Sequence, residues 1–414
     1  MPEYHWGTES SLLRSRDRDQ MTKLMIGISI FAILGILAVA GLELLLRRWS
    51  HRPLFSLARQ PSNSRNHSNL GRGSWLLPMH VAAMRDKNFS QQHWHEMREW
   101  GDYKRSLKSE LNTKQLSRFE VKRLLYSADY QRSEFTVRGG ERGTTNQPTT
   151  PHRKILCFGG STTFSMEVPD HATWCSVLQR LVESNSVDLH YLVRNQGIPG
   201  AVGIERIQYM ESAHDLNPGD VVIFLIGDND SGWTQLQDRW QEFNLGDLNS
   251  LAQHTFSPLL RKVLRLSSIS ELASWVYAEV SPRYLKHFAI NNANETINAA
   301  NEAITFARVR GARGLFVLQP NIFTLRNPDS WDRKIMAGTA RDLSVLLEAA
   351  YRRYREWIAT RDFAVDATNL FDNESPSPYM GDWAHVNTRG NQLIGEFVYK
   401  ELKSRGWLSE TTSV

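Results

Sequence analysis

Residues 154–163 read KILCFGGSTT, a run of β-forming residues that ends at Gly159 and Gly160 and is followed by Ser161. Amphipathic, helix-like stretches separate this run from four similar ones. These are LHYLVRNQG (189–197), DVVIFLIG (220–227), GLFVLQPNI (314–322) and FAVDATNLF (363–371). Parallel strands that are buried on both faces have such nearly continuous apolar sequences. The sequence therefore predicts an α/β fold with a doubly wound, five-stranded parallel sheet.

Polar or glycine-rich clusters follow the first three runs, and a fourth cluster precedes the last predicted helix. They are GGSTT (159–163), NQGIPG (195–200), GDND (227–230) and GDWAH (381–385). Ligands of open α/β sheets bind beyond the carboxyl ends of the strands. We therefore expect the four clusters to line one crevice.

The residue types in these clusters fit nucleophilic catalysis. A serine hydroxyl such as Ser161 needs an adjacent base, most often histidine. Asp382 lies three residues before His385, close enough in one loop to bind its ring and fix the tautomer. Backbone N–H groups of glycine and the amide of Asn229 are suitable donors to an oxyanion.

Each cluster on its own has a plainer interpretation. GGS is a common connection from strand to helix, or a phosphate-binding turn, and NQGIPG is a turn. GDND lacks the remaining spacing of a calcium loop, and an aspartate near a histidine is commonplace. GGSTT is neither a Walker loop nor a G-x-S-x-G elbow. Only the ordered combination is specific.

That combination resembles the SGNH or GDSL hydrolases, a family of serine esterases and acyl hydrolases, over residues 151–410. G-D-N-D and D-W-A-H match the family's third and fifth blocks, and N-Q-G-I-P-G is similar to the second. Gly160 departs from the founding G-D-S pattern, although G-G-S-T versions occur in the family. The resemblance implies a flavodoxin-like sheet and leaves open how the loop around Gly160 is braced.

The resemblance also implies a role for each matching residue. Ser161 is the expected nucleophile, His385 the general base and acid, and Asp382 the residue that orients His385. The expected oxyanion hole consists of the Ser161 and Gly197 N–H groups and the Asn229 amide. No cofactor and no metal are expected. The expected substrate is an acylated small molecule, lipid or glycan.

Residues 1–23 form a polar tail, and residues 24–46 are predicted to be a transmembrane anchor. The run LMIGISIFAILGILAVAGL (24–42) is uncharged over about the 20 residues that span a hydrocarbon core. A cleaved signal peptide is the alternative, because Ala38-Val39-Ala40 fits a cleavage site. Basic residues flank the run on both sides, so charge does not give the orientation. The resemblance implies a single-pass membrane protein whose catalytic domain lies outside the cytoplasm.

Residues 47–150 are predicted to be a basic linker and a mainly helical lead-in. They carry about twice as many basic as acidic residues, whereas the whole chain has a net charge of +5. This segment either contacts anionic headgroups or an acidic polymer, or is simply a solvated surface. Its basic residues are dispersed and match no nucleic-acid-binding motif, so we expect no nucleic-acid partner. His93 and His95 would point to different faces of a helix, which argues against a metal site.

A helical insertion is predicted at about 232–292, where aromatic residues form either a lid over the site or a small core of their own. Cys157 and Cys175 are too few for a disulfide framework. The sequence favours a membrane-anchored esterase. O-acetyl groups on a carbohydrate are one candidate substrate. Two alternatives stay open, an O-acyltransferase that modifies a polysaccharide and a non-catalytic scaffold. The oligomeric state is not predicted.

Overall fold

The centre of the fold is the predicted parallel sheet. A computed structural model of the protein describes residues 86, 88–111, 114, 116, 118–185, 190–232, 268–339 and 341–409. All of these except 268–281 belong to one structural unit. The strands are β1 (Tyr130–Gln131), β2 (Thr136–Arg138), β3 (Glu141–Arg142), β4 (Arg153–Gly159), β5 (Tyr191–Gly197), β6 (Val221–Ile226), β7 (Arg313–Leu318) and β8 (Ala364–Asp366).

Five of these strands confirm the predicted α/β sheet. They lie in the order β5-β4-β6-β7-β8 and all pair in parallel. This is the flavodoxin-like order, in which the chain reverses direction across the sheet beside β4. Because all five run the same way, their carboxyl ends lie at one edge.

The sheet is mixed and has eight strands, so the prediction of a purely parallel, five-stranded sheet was wrong in this respect. β1, β2 and β3 form an antiparallel meander, and Arg142 of β3 pairs with Asn195 of β5. Gly139 and Gly140, with φ of 58° and 86°, make the tight turn between β2 and β3. The three strands are only two or three residues long, too short to show an alternating pattern. The basic lead-in is therefore only partly helical.

Helices cover both faces of the parallel part. They are α1 (Gln91–Leu111), α2 (Arg118–Ser127), α3 (Ser161–Phe164), α4 (Trp174–Asn185), α5 (Gly203–Ala213), α6 (Ser268–Val309), α7 (Ser330–Gly338), α8 (Arg341–Ile358) and α9 (Thr388–Ser404). The side chains of successive residues of β4 point to opposite faces of the sheet. Ile155 and Cys157 pack with α4 and α9, whereas Leu156 and Phe158 pack with α5, α8 and the part of α6 after residue 282.

A third apolar cluster joins the lead-in to the residues that follow strand β4. Trp94, Met97 and Trp100 of α1 are buried against strand β2, α3 and the residues after α3. The Trp100 and Phe164 rings stack at a centroid distance of 5.3 Å. Burial of side chains of this size stabilises a fold by about 1.5–3 kcal/mol each. The lead-in therefore helps to fix the loop that begins at Ser161.

Two sequence predictions concern residues beyond this description. In the described ranges, no helix is both long enough and apolar enough to cross a membrane. The predicted anchor at 24–46 lies outside those ranges. Of the insertion predicted at about 232–292, residues 268–292 are helical and belong to α6, and residues 233–267 are also outside.

Candidate active site

Hydrogen bonds connect the polar clusters that follow the parallel strands. Thr162 Oγ1 donates to Gln319 Oε1 after β7, at 2.9 Å. The Trp383 indole N–H donates to Asp228 Oδ2 after β6, at 2.7 Å. GDND and GDWAH are thus bonded directly to each other, and GGSTT is bonded to the end of β7. These three clusters lie at one edge of the sheet. NQGIPG joins them because Asn229 Nδ2 donates to Ala201 O, one residue past its end, at 3.3 Å.

Ser161 is the first residue of α3 and is partly exposed to solvent. Two glycines place it there. A Cβ on Gly159 would lie 1.8 Å from Thr163 Oγ1, and a Cβ on Gly160 would lie 2.6 Å from Asn229 Nδ2. No contact of this length is tolerated between non-bonded atoms. A side chain at position 160 would therefore displace the Asn229 amide.

Side chains from distant elements brace the loop after Ser161. Ser165, whose φ is 51°, donates from its hydroxyl to Asn391 Oδ1 of α9 at 2.9 Å. Asn195 Nδ2 donates to Thr163 O at 2.8 Å. Both asparagines are buried. Two asparagine amides and the Ser165 hydroxyl thus brace this loop.

Asp382 and His385 form a tight pair. Asp382 Oδ2 lies 2.5 Å from His385 Nδ1, and Asp382 Oδ1 accepts the backbone N–H of His385 at 2.8 Å. Burial opposes ionisation of Asp382, but His385 and these hydrogen bonds outweigh it and hold the pKa of Asp382 below its ordinary value. An ionised carboxylate on Nδ1 fixes the tautomer in which Nε2 is the free base.

The other ring nitrogen of His385 faces a carboxylate that the sequence did not single out. Its Nε2 lies 3.6 Å from Glu167 Oε1. Within the described residues no hydrogen bond joins Nε2 to Ser161 Oγ, and Nε2 is a buried atom without a hydrogen-bond partner there. Hydrogen bonds between nucleophile and base are often unformed before substrate binds. The structure thus brings Asp382 to His385 but leaves Ser161 unbonded to it.

Burial and charge shift the pKa of His385 in opposite directions. Burial lowers it, but the carboxylates of Asp382 and Glu167, with a smaller contribution from Asp228, raise it to about 10. A raised pKa is expected for a histidine between two carboxylates, because their negative charges stabilise the imidazolium.

The predicted oxyanion donors are placed differently from one another. Asn229 Nδ2 lies beside Gly160, next to Ser161. The Gly197 N–H instead donates to Asn195 Oδ1 of its own strand, at 3.1 Å. A Cβ on Gly197 would lie 2.3 Å from Phe164 N, so this glycine also permits α3 to approach β5.

Two acidic residues of GDND brace the crevice. Buried Asp230 accepts hydrogen bonds from Arg206 Nη2 at 2.8 Å and from the Gly227 N–H at 3.1 Å. Asp228 accepts from Trp383 and from Asn321 Nδ2, each at 2.7 Å. Burial raises the pKa of Asp228 to about 7, although both hydrogen bonds lower it. Sequence spacing identified GDND as a block, but gave no signal for Arg206, Asn321 or Glu167.

A cleft of about 470 Å³ lies beside these loops and is lined by Asn321, Phe323, Leu347, Tyr351, Arg352 and Arg355, among others. It has an aromatic wall and polar groups, and Asn321 also binds Asp228 of the candidate site. In the part of the chain that is described, no three or more His, Cys, Asp or Glu side chains are placed to hold a metal ion. His93 and His95 are separate, since His93 binds Met166 O and His95 faces Glu99.

Comparisons with known proteins give distant likenesses. The solved structures that match include a member of the lipolytic protein G-D-S-L family from Veillonella parvula, at 13% identity over 63% of this chain and 100% of that chain, with a TM-score of 0.34. The acetylxylan esterase Axe2 from Geobacillus stearothermophilus matches at 14% identity over 61% and 94%, with a TM-score of 0.32. TesA matches at 15% identity over 61% and 99%, with a TM-score of 0.32. No protein-family model matches the chain, and no curated protein matches it in sequence.

Proposed function

We propose that the protein is an SGNH-type serine esterase that cleaves its substrate through an acyl-serine intermediate. The observation that carries the proposal is the 2.5 Å contact between Asp382 Oδ2 and His385 Nδ1, at the same edge of the sheet as Ser161. A histidine oriented by a carboxylate activates a serine hydroxyl once the two side chains come within hydrogen-bond reach.

In the proposed acylation step, His385 Nε2 accepts the Ser161 proton as Oγ bonds to the ester carbonyl carbon. Asp382 stabilises the imidazolium that forms. The carbonyl oxygen becomes an oxyanion, and His385 then returns the proton to the leaving alcohol. A water molecule, deprotonated by the same nitrogen, then bonds to the acyl carbon. The bond from this carbon to Ser161 Oγ breaks, Oγ takes the proton back from His385, and the acid leaves.

The proposed oxyanion donors are the Asn229 amide, the Ser161 N–H and a glycine N–H of NQGIPG. Gly197 was the glycine predicted, but its N–H already has an acceptor in Asn195. Gly200 is the alternative within the same motif. Its N–H is bonded to no acceptor among the described residues, and the next residue, Ala201, contacts the Asn229 amide. Loss of one such donor typically lowers kcat about 100- to 1000-fold.

The proposed substrate is an ester with a short acyl group, such as an O-acetyl group on an envelope or secreted glycan. The mixed aromatic and polar lining of the cleft beside Asn321 suits a sugar, which packs on aromatic faces and forms hydrogen bonds. The proposed location is the outer face of a membrane, to which residues 24–46 anchor the chain.

The test is turnover of p-nitrophenyl acetate and of acetylated glycans by the full-length protein in detergent. Ser161→Ala should abolish turnover and labelling by a fluorophosphonate, while circular dichroism stays unchanged. Ser404→Ala is the matched control, because Ser404 lies exposed on α9 and its hydroxyl only caps Glu401 O. Full activity of Ser161→Ala would refute the proposal. Analysis of products with an acceptor sugar present separates hydrolysis from acyl transfer.

A further inference from the structure

Glu167 is a buried carboxylate that faces the catalytic candidate His385 from the side opposite Asp382. It is only 4% exposed, and its Oε1 lies 3.6 Å from His385 Nε2. Within the described residues, neither of these two buried atoms has a hydrogen-bond partner. A buried carboxylate is costly unless a cation compensates it. The imidazolium form of His385 provides that cation.

The backbone on both sides of Glu167 is fixed by residues of the lead-in. His93 Nε2 bonds to Met166 O at 2.9 Å, and Arg142 Nη2 donates to Val168 O at 3.0 Å. His93 and Arg142 are themselves buried. Burial and the nearby Arg142 lower the pKa of His93 to about 3, so His93 is a neutral donor to this carbonyl. Glu167 is therefore held at His385 by the fold rather than by a chance rotamer at the surface.

Among the described residues, several charged groups lie around the pair. His385 is faced by Asp382, Glu167 and Asp228, and Glu167 is faced by His385, Asp382 and Arg142. Tyr126 also lies in the field of Glu167. Its pKa is raised to about 12, mainly by burial and to a lesser degree by this carboxylate. Burial raises the pKa of Glu167, with His385 and Arg142 opposing the shift. Both members of the pair therefore bind protons more tightly than isolated groups do.

A protonated Nε2 is incompatible with the first step of the proposed reaction. Nε2 must be vacant to take the proton from Ser161 Oγ. The proton that it already carries has to leave first, either to Glu167 Oε1 or to water. Only then can the Oγ proton move to Nε2 as Oγ bonds to the ester carbon.

We propose that Glu167 is a positioning residue that keeps His385 in its protonated, unreactive form in the free protein. Proton transfer from Ser161 then requires that the Glu167–His385 contact breaks or that Glu167 takes up the proton. This inference rests on the proposed esterase function, because it concerns the base of that reaction. It gives the lead-in a functional role, since His93 and Arg142 hold the segment that carries Glu167.

The test combines NMR with kinetics on the full-length protein in detergent. With histidine labelled with ¹³C and ¹⁵N, the ring of His385, identified by its loss in His385→Gln, is titrated in the wild type and in Glu167→Gln. The wild-type ring should stay protonated at pH 7 and 8. Glu167→Gln should lower the titration midpoint by about one pH unit or more and raise kcat/KM for p-nitrophenyl acetate at pH 7 about tenfold or more. The two proteins should reach similar kcat/KM values at high pH.

Glu183→Gln is the matched control. Glu183 also faces a histidine, His190, at 2.9 Å, but on the surface at the end of α4. Glu183→Gln removes the same charge from the chain as Glu167→Gln. It should leave the titration midpoint of His385 and kcat/KM unchanged. A merely structural role of Glu167 would change stability without moving the midpoint.

A neutral His385 in the wild type at pH 7 overturns the inference without any variant. An unchanged midpoint in folded Glu167→Gln overturns it as well. If Glu167→Gln does not fold, Glu167→Asp takes its place, because the shorter side chain withdraws the charge and should lower the midpoint by a smaller amount. The titration needs no turnover. Absence of esterase activity in the wild type would therefore count against the proposed function alone.

Discussion

The indole N–H of Trp383 donates to Asp228 Oδ2 at 2.7 Å and so ties the loop of Asp382 and His385 to the end of strand β6. Asn321, after β7, donates to the other oxygen of the same carboxylate at 2.7 Å. The Asp228 side chain thus holds together three loops at the candidate site: its own loop after β6, the loop after β7 and the loop of Asp382 and His385. Burying this carboxylate costs the free energy of removing it from water.

Asp228 makes the free energy of unfolding depend on pH. Its folded pKa, about 7, lies above the ordinary value of 3.8 because of burial. The folded state then binds more protons than the unfolded state between these pH values, so this group's contribution to stability is full below about pH 4 and is lost as pH rises through 7. The loss is at most about 4 kcal/mol.

Asp228→Asn removes this titration. The free energy of unfolding of the variant minus that of the wild type should be larger at pH 8 than at pH 5. Urea unfolding at the two pH values measures this difference. Asp362→Asn, an exposed aspartate paired with Arg308 at 3.4 Å, is the control and should show no such trend. An equal stability difference at the two pH values would contradict the prediction.

Arg206 and Asp230 form a buried ion pair under the loop of Gly160, with side chains 2% and 1% exposed. Arg206→Met should destabilise the fold by about 3–5 kcal/mol, because it leaves the Asp230 carboxylate buried without its cation. Urea unfolding measures the effect. Arg352→Met, which breaks an exposed pair with Glu348, should cost no more than about 1 kcal/mol. Equal losses in the two variants would mean that burial does not strengthen the first pair.

Asp382→Asn should lower kcat for p-nitrophenyl acetate about 10⁴-fold while the fold is retained. The asparagine oxygen can still accept the backbone N–H groups of Ala384 and His385, as Asp382 Oδ1 does. Its amide cannot accept from Nδ1, so the ring takes the tautomer that presents a proton to Ser161. Steady-state kinetics and circular dichroism check both halves of this expectation. A loss of less than about tenfold would show that Asp382 does not orient the base.

The sequence was sufficient for the central strands because burial on both faces makes β6 apolar along its whole length and β4 apolar from Ile155 onward. It also predicted that Ser161 and His385 lie at the same edge, since strand ends of a parallel sheet share one side. It could not predict the meander that begins at β1, whose strands carry almost no pattern. Glu167 was missed for a different reason. Its significance depends on packing by α1 and β3, which no local spacing encodes.

Gly160→Ala tests the link between the G-G-S-T sequence and the oxyanion site. Gly160 has a φ of −86°, outside the left-handed region, and a ψ of −147°, beyond the usual β range, so circular dichroism has to show that the variant folds. The new Cβ would lie 2.6 Å from Asn229 Nδ2 and would push this amide away from Ser161. We expect kcat/KM for p-nitrophenyl acetate to fall about 100-fold or more, as for loss of one oxyanion donor.

Gly101→Ala is the matched control for this change. A Cβ on Gly101 meets nothing within 4 Å, and the residue lies inside helix α1. Alanine there should stabilise the protein by up to about 1 kcal/mol and leave kcat/KM unchanged. Gly160→Asp, which converts G-G-S to G-D-S, should be no more active than Gly160→Ala, because its side chain starts at the same crowded Cβ. Wild-type activity in either Gly160 variant would show that the Asn229 amide does not contribute to the reaction from the position it occupies here.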